Sequence, residues 1–370
     1  MPGSWDRKNI EEMQPGRQYE LDLLRAVSTV SMILCHAVLM LGAHRPGHEG
    51  ELLFWIGDML LGCYPGVAHA FMFAMGVGIN YSRRGRPVDL IRRGLSLYVL
   101  AFILNFLRYG VYALLDGIIE GAFAEETVYA LVVQDILHFA GLALMATGLF
   151  KWLGLKARHM LVIGVILSAA GGLLAFSYQG SPVMNYLLGH FITTTEKDSC
   201  FAFFNWYIFV ASGILFGEAL RQSRDADGLY RRLFAAACPI AVLYIVLSIV
   251  FGTFFLTKDG WYYAISLPDA VGLLSLDLTM LSLFRFLLKR VGASRFSVCI
   301  EMSRNVNQIY LIQWCILGFI DSIFCYLLGC VFSYPVIYLI GVLLILVSCW
   351  IADRWRRRKT MTKPKQEVSV

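Results

Sequence analysis

Three ionisable residues stand out in one apolar stretch near the start of the chain: Asp22, Arg25 and His36 in YELDLLRAVSTVSMILCHAVLMLGA (19–43). A helix advances about 100° and about 1.5 Å per residue, so Arg25 and His36 lie within about 20° of one face and about 16 Å apart along it. Thr29 and Met32 fall between them on that face, and Asp22 is near enough to Arg25 to pair with it. A neutral imidazole can take a proton from an attacking hydroxyl or amine near pH 7. The stripe therefore offers group-transfer chemistry at a histidine, with a guanidinium nearer one end. The competing reading is a buried histidine tied to a neighbouring helix, with Arg25 as an anchor of the span.

Further polar groups sit in apolar surroundings. His69 follows a Pro65–Gly66 pair that predicts a helix break, and it is placed to face His36 or to make a structural hydrogen bond. Gln134 and His138 are spaced i, i+4 and Asp135 and His138 i, i+3, which predicts a cluster that binds an acceptor or orients a base. An interhelical polar tie is the plainer alternative. Arg108, beside Asn105, needs an acidic partner, for which Asp135 and Asp269 are the candidates. Asp277 is a further carboxylate within a span, and Asn305, Asn307, Gln308 and Gln313 line the start of a late one. Arg83, Arg84, Arg92 and Arg93 flank a short loop; arginine forks match phosphate oxygens in pairs, although the same charges also serve as a topology signal. The chain has no glycine-rich phosphate loop, no HExxH and no GxSxG. Its nine cysteines lack metal-like spacing, so no metal is expected.

The elements that must hold these residues follow from composition. Hydrophobic residues make up 58% of the 370 and charged residues 16%, well under the share in soluble domains. Apolar runs of about 20 residues, each enough to span a bilayer, recur at 21–43, 53–82, 91–115, 128–150, 159–178, 203–220, 233–256, 262–284, 306–328 and 334–352. The expected fold is an all-α polytopic bundle of about ten spans. A polar tail (1–20) precedes one transmembrane domain (21–352), and a basic tail (353–370) follows it. Lys and Arg crowd alternate loops, while the opposite loops hold Arg45, Lys197, Lys258 and the acidic Asp116, Glu120, Glu125 and Glu126. The positive-inside rule then puts both termini in the cytosol of a cell (inner) membrane. The net charge of +6 reports that topology and contact with anionic lipid, not nucleic acid. The segment 179–202, with His190 and Thr193–Thr195, is long enough to re-enter the membrane in part.

The pattern LDLLRAVSTVSMILCH, with Arg25, ten residues and then His36, resembles the opening helix of the membrane-bound acyltransferase family 3. Later patches are similar to the related heparan-α-glucosaminide N-acetyltransferase-like proteins: VAHAFMFAMGVGINYS (67–82), VVQDILHFAGLALMATGLF (132–150), FNWYIFVASGILFGEALR (204–221) and SRNVNQIYLIQWCI (303–316). In that second branch the active histidine lies in the loop after the first helix, where this chain has His44 and His48.

The resemblance implies acyl transfer from a cytosolic acyl-CoA, usually acetyl-CoA, to a glycan or lipid-linked sugar. His36, Arg25 and Asp22 would then be catalytic, Arg83, Arg84, Arg92 and Arg93 would hold the donor, and Gln134, Asp135, His138 and His69 the acceptor. The histidine serves as general base or as transient acyl carrier. The rival class is a secondary transporter or channel, which also uses intramembrane Asp, His and Arg.

Overall fold

The computed structural model describes residues 17–42, 44, 68–121, 130–174, 182–193, 200–251 and 262–361. His48, the Pro65–Gly66 pair and the acidic Glu125 and Glu126 lie outside the described residues. Among those described, the regular elements are all helices: α1 (Tyr19–Gly42), α2 (Ala68–Tyr81), α3 (Pro87–Ile119), α4 (Ile136–Trp152), α5 (Ala157–Leu173), α6 (Pro182–Gly189), α7 (Phe203–Gln222), α8 (Ala226–Val250), α9 (Leu267–Val291), α10 (Ser297–Arg304), α11 (Val306–Ile320) and α12 (Tyr334–Met361). At its end α11 widens into a π-helix, Asp321–Leu327.

Eight helical stretches among these residues are long and apolar enough to cross a membrane. They match the expected spans at α1, α3, α4, α7, α8, α9, α11 and α12. α5, an apolar helix of 17 residues, and α2, with 14, stand where the other two were expected. The outward faces fit a lipid surroundings. Over its most apolar 18 residues α8 has a mean hydropathy of 2.6, yet only 22% of them are buried. Val242, Leu243, Val246 and Ile249 are exposed along it, an apolar surface far beyond what a soluble helix leaves open.

Local chemistry moves several boundaries. α3 starts at Pro87, ahead of the expected 91, because proline suits the first helical turn. α8 starts at Ala226 instead of 233: the Asp225 side chain accepts from the Gly228 N–H at 2.8 Å and caps a polar first turn. Asp227 in that turn pairs with Arg285 at 3.0 Å. α9 starts at Leu267, where Ser266 and Asp269 form a capping box and Pro268 sits in the first turn. α12 runs past 352 to Met361, carried by charged residues such as Arg357, whose Nε is 2.8 Å from Asp353. The basic tail from 353 is thus helical as far as Met361.

α1 is the central element, packed on α2, α9, α10, α11 and α12. The pairs α3–α4, α2–α7, α5–α7 and α8–α9 build the rest. Close helix approaches need glycine at several positions, Gly213 and Gly318 among them. On α7, a Cβ at Gly213 would run into the Phe73 carbonyl of α2, and on α11 one at Gly318 would run into the Arg108 carbonyl of α3. The second contact draws the α3 backbone at Arg108 against α11, next to the residues that face His36.

Candidate active site

α1 is unbroken from Tyr19 to Gly42, so the stripe keeps the expected register. Opposite His36 lie Tyr310, Gln313 and Trp314 of α11, whose i, i+3, i+4 spacing gathers them on one face. Gln313 Nε2 is 3.0 Å from His36 Nδ1. The Trp314 ring lies 4.1 Å from the imidazole, tilted by 31°, and the Tyr310 ring meets it edge-on at 6.3 Å. Gln313 is fully buried. It can meet Nδ1 with either end of its amide. A donating NH2 leaves the proton on Nε2; an accepting carbonyl leaves Nε2 with its lone pair free. Gln313 Oε1 has no hydrogen-bond partner among the described residues.

Beyond Trp314 lies a buried ionic network. Arg108 of α3 pairs with Asp135 at 3.4 Å, which identifies the acidic partner that the sequence left open; Asp269 instead accepts from Ser266 Oγ at 2.6 Å and Tyr244 at 3.0 Å. Arg108 Nη2 donates to Asn105 Oδ1 at 2.9 Å. Its guanidinium carbon also lies 4.3 Å from the centre of the Trp314 ring. Asp135 accepts from the Tyr310 hydroxyl at 2.8 Å. A single carboxylate therefore ties α3 and α11 to the start of α4.

The start of α4 corrects the sequence reading. The span was expected to be one helix from 128 to 150, with Gln134 and His138 on one face. Instead the helix breaks at 133–135 and restarts under Asp135, whose Oδ1 accepts from the Ile136 N–H at 2.6 Å. His138 Nδ1 accepts from the Asp135 N–H at 3.1 Å and closes a capping box. Asp135 prefers this place because its side chain satisfies helix-start N–H groups that would otherwise be orphaned at membrane depth. Gln134, left outside the helix, meets His190 Nδ1 at 2.9 Å. His190 Nε2 is 2.9 Å from the Tyr98 hydroxyl. Segment 182–193 thus turns back into the bundle, with His190 buried after α6. The His138 ring lies 5.8 Å from that of His190, and its Nε2 is buried with no hydrogen-bond partner among the described residues.

His69 does not join this group. Its Nδ1 is 2.9 Å from Asp277 Oδ2 of α9, both residues being buried. The contact with Asp277 is the structural hydrogen bond that the sequence offers as the alternative to facing His36. Asp22 also departs from expectation: it accepts from Arg17 Nε at 2.6 Å and from Ser303 Oγ at 2.6 Å. Arg25 turns to the α2 backbone, with Nη2 donating to the Ala74 carbonyl at 2.8 Å. His44 meets Asp321 at 2.7 Å at the far end of α1.

At the near end of α1 an open cavity of about 260 Å³ is lined by Arg17, Asp22, Arg25, Tyr81, Ser303 and Arg304, among others. Three guanidinium groups against one carboxylate leave its wall cationic. Arg17, Ser303 and Arg304 carry no local signal in the sequence for this place, because they reach the cavity from the residues before α1 and from α10. Arg83, Arg84 and Arg92 are exposed around the α2–α3 turn, and Arg93 reaches Ser82 Oγ at 3.5 Å. None of these four lines the cavity.

The family described as an acyltransferase domain, acyltransferase family 3, matches residues 18–354, almost the whole chain. A comparison with curated proteins gives no match.

Proposed function

We propose, from the premise that this chain belongs to acyltransferase family 3, that it moves an acetyl group from cytosolic acetyl-CoA to a carbohydrate or lipid-linked sugar at a cell (inner) membrane. The observation that carries this reading is the α1 stripe. Its lower end opens on the cationic cavity at Arg17, Arg25 and Arg304, and its upper end holds His36 against Gln313 and Trp314. The basic end of the bundle faces the cytosol.

In this reading the cavity takes the anionic part of the donor. At about 260 Å³ it is smaller than most pockets for whole ligands, roughly 300–1,000 Å³, so it suits a diphosphate or the narrow thioester arm and leaves the nucleotide outside. Arg83, Arg84, Arg92 and Arg93 then meet the nucleotide phosphates at the rim. Arg25, hydrogen-bonded to Ala74, marks the path, and the thioester reaches His36 about 16 Å further along the helix. Asp22 holds Arg17 and Ser303 in the cavity wall. It stands about 21 Å from His36 along α1, and so orients the donor instead of touching the reacting atoms.

The step needs the Gln313 amide turned over, so that its carbonyl takes the place of the Nε2 now 3.0 Å from His36 Nδ1 and holds the Nδ1 hydrogen; His36 then takes the proton of the acceptor hydroxyl or amine at Nε2. The acceptor oxygen or nitrogen attacks the thioester carbon, the C–S bond breaks, and CoA leaves as the thiol with that proton. The acceptor approaches from the opposite side, toward Asp135, His138, Gln134 and His190. His69 is tied to Asp277 of α9 and stays outside this group.

The test uses purified full-length protein. Acetyl-CoA should bind, and free CoA thiol should appear when a glycan acceptor is added. His36→Ala should lower turnover by about two orders of magnitude, as for loss of a general base, while acetyl-CoA binding persists. Equal turnover in wild type and His36→Ala would remove this histidine from the reaction. His44→Ala and His48→Ala belong beside it, since loss of turnover in one of those alone would move the reaction to the loop after α1.

A further inference from the structure

At the other end of α1 from the arginine cavity, we propose that His44, Asp321 and Cys325 form a binding site for a divalent transition ion of the zinc class. One ligand atom from each lies within 4.8 Å of the other two, and His44 Nε2 is 2.7 Å from Asp321 Oδ1. Zinc takes imidazole nitrogen, carboxylate oxygen and thiolate sulfur at about 2.0–2.3 Å in a tetrahedron, so donors round one ion stand roughly 3.3–3.8 Å apart. The shortest contact has to open by about an ångström and the longest to close by about the same, within reach of side-chain rotation. A His44–Asp321 hydrogen bond alone explains two of the three groups. It does not explain why a cysteine completes the set.

The charge also balances. A carboxylate and a thiolate neutralise a dication, and neutral imidazole adds nothing, so the loaded site carries no net charge at the end of a membrane span, where a surplus is costly. The thiolate selects zinc-class ions over magnesium or calcium, which prefer oxygen.

The backbone supports the same assignment. α11 changes register at Asp321 and continues as a π-helix to Leu327. Such segments are rare and recur at functional sites. Here it supplies two of the three donors on neighbouring turns, Asp321 half-buried and Cys325 buried. His44 lies two residues past the end of α1. A bound ion therefore joins the ends of the two helices that carry His36 and Gln313, and holds them together independently of what they catalyse.

The experiment strips the full-length, tag-free protein with a chelator and titrates it with Co²⁺, which occupies zinc sites and reveals a thiolate ligand by sulfur-to-cobalt charge-transfer absorption. One equivalent should give the band, and Zn²⁺ should abolish it. Cys325→Ser should lose the band, whereas Cys315→Ser, at another α11 cysteine, should keep it. His44→Ala and Asp321→Asn should each weaken Co²⁺ binding at least tenfold, and they carry the test should Cys325→Ser fail to fold. No charge-transfer band at saturating Co²⁺, a full band in Cys325→Ser, or unchanged affinity in both His44→Ala and Asp321→Asn overturns the proposal.

Discussion

Gln313 Nε2 and His36 Nδ1 lie 3.0 Å apart, which makes one buried amide the hydrogen-bond partner of the histidine on the central helix. The amide fixes ring orientation, and through the choice of its donating or accepting end it fixes the tautomer. Gln313→Leu removes that control with little change of volume. Turnover should fall by about tenfold or more while the KM for acetyl-CoA stays within about twofold, because Gln313 acts through His36 and not on the donor. Gln313→Glu, which can only accept from Nδ1–H when ionised, should retain more turnover than Gln313→Leu. Steady-state kinetics on the three proteins decide it: equal kcat in wild type and Gln313→Leu would mean that the contact is packing alone.

The cationic cavity makes a second prediction, about which arginines hold the donor. A charge-assisted hydrogen bond is worth about 1.5–3 kcal/mol, so losing one costs about tenfold or more in affinity. Arg17→Ala and Arg304→Ala should each weaken acetyl-CoA binding by that factor. Outside it, Arg83→Ala, Arg84→Ala, Arg92→Ala and Arg93→Ala should act more weakly, since none of the four lines the cavity. Calorimetric binding of acetyl-CoA to the six variants ranks them. Wild-type affinity in Arg17→Ala and Arg304→Ala, with losses at the rim, would move the donor's phosphates out of the cavity.

The all-α membrane bundle was legible because hydropathy and charge clustering are properties of runs, and each run declares itself. The Arg25–His36 stripe was legible for a similar reason: both residues sit on one helix, and helical geometry converts spacing into position. What crosses between helices was not. Asp22 and Arg25 are at pairing distance by spacing, yet Asp22 goes to Arg17 and Ser303 and Arg25 goes to a carbonyl of α2. Those choices depend on how α10 and α2 pack. The break at 133–135 was hidden because the residues around it are apolar enough to read as one span, while the capping preference of Asp135 decides the backbone. The His44–Asp321 contact joins positions 277 residues apart, beyond the reach of any local spacing rule.

The Arg108–Asp135 pair is buried on both sides and linked at 3.4 Å. Removing one partner of a buried pair strands the other charge and costs about 3–5 kcal/mol, whereas removing both costs far less. Arg108→Met should therefore destabilise the detergent-solubilised protein strongly. Asp135→Asn alone should also leave Arg108 short of its anion: the one amide oxygen can still cap α4, but an NH2 then replaces the oxygen that accepts from Tyr310 and Arg108. Arg108→Met combined with Asp135→Asn should recover much of the loss, with a melting temperature above that of Arg108→Met. Activity separates structure from chemistry in the same set. If the pair only holds α3, α4 and α11 together, the double variant recovers turnover along with stability. If Arg108 also supports the reacting group beside Trp314, whose ring centre its guanidinium carbon approaches to 4.3 Å, turnover stays low in the stable double variant. Thermal melts that show the two substitutions to be additive would mean that the pair is not energetically coupled, and the ionic tie between α3 and α4 would have to be given up.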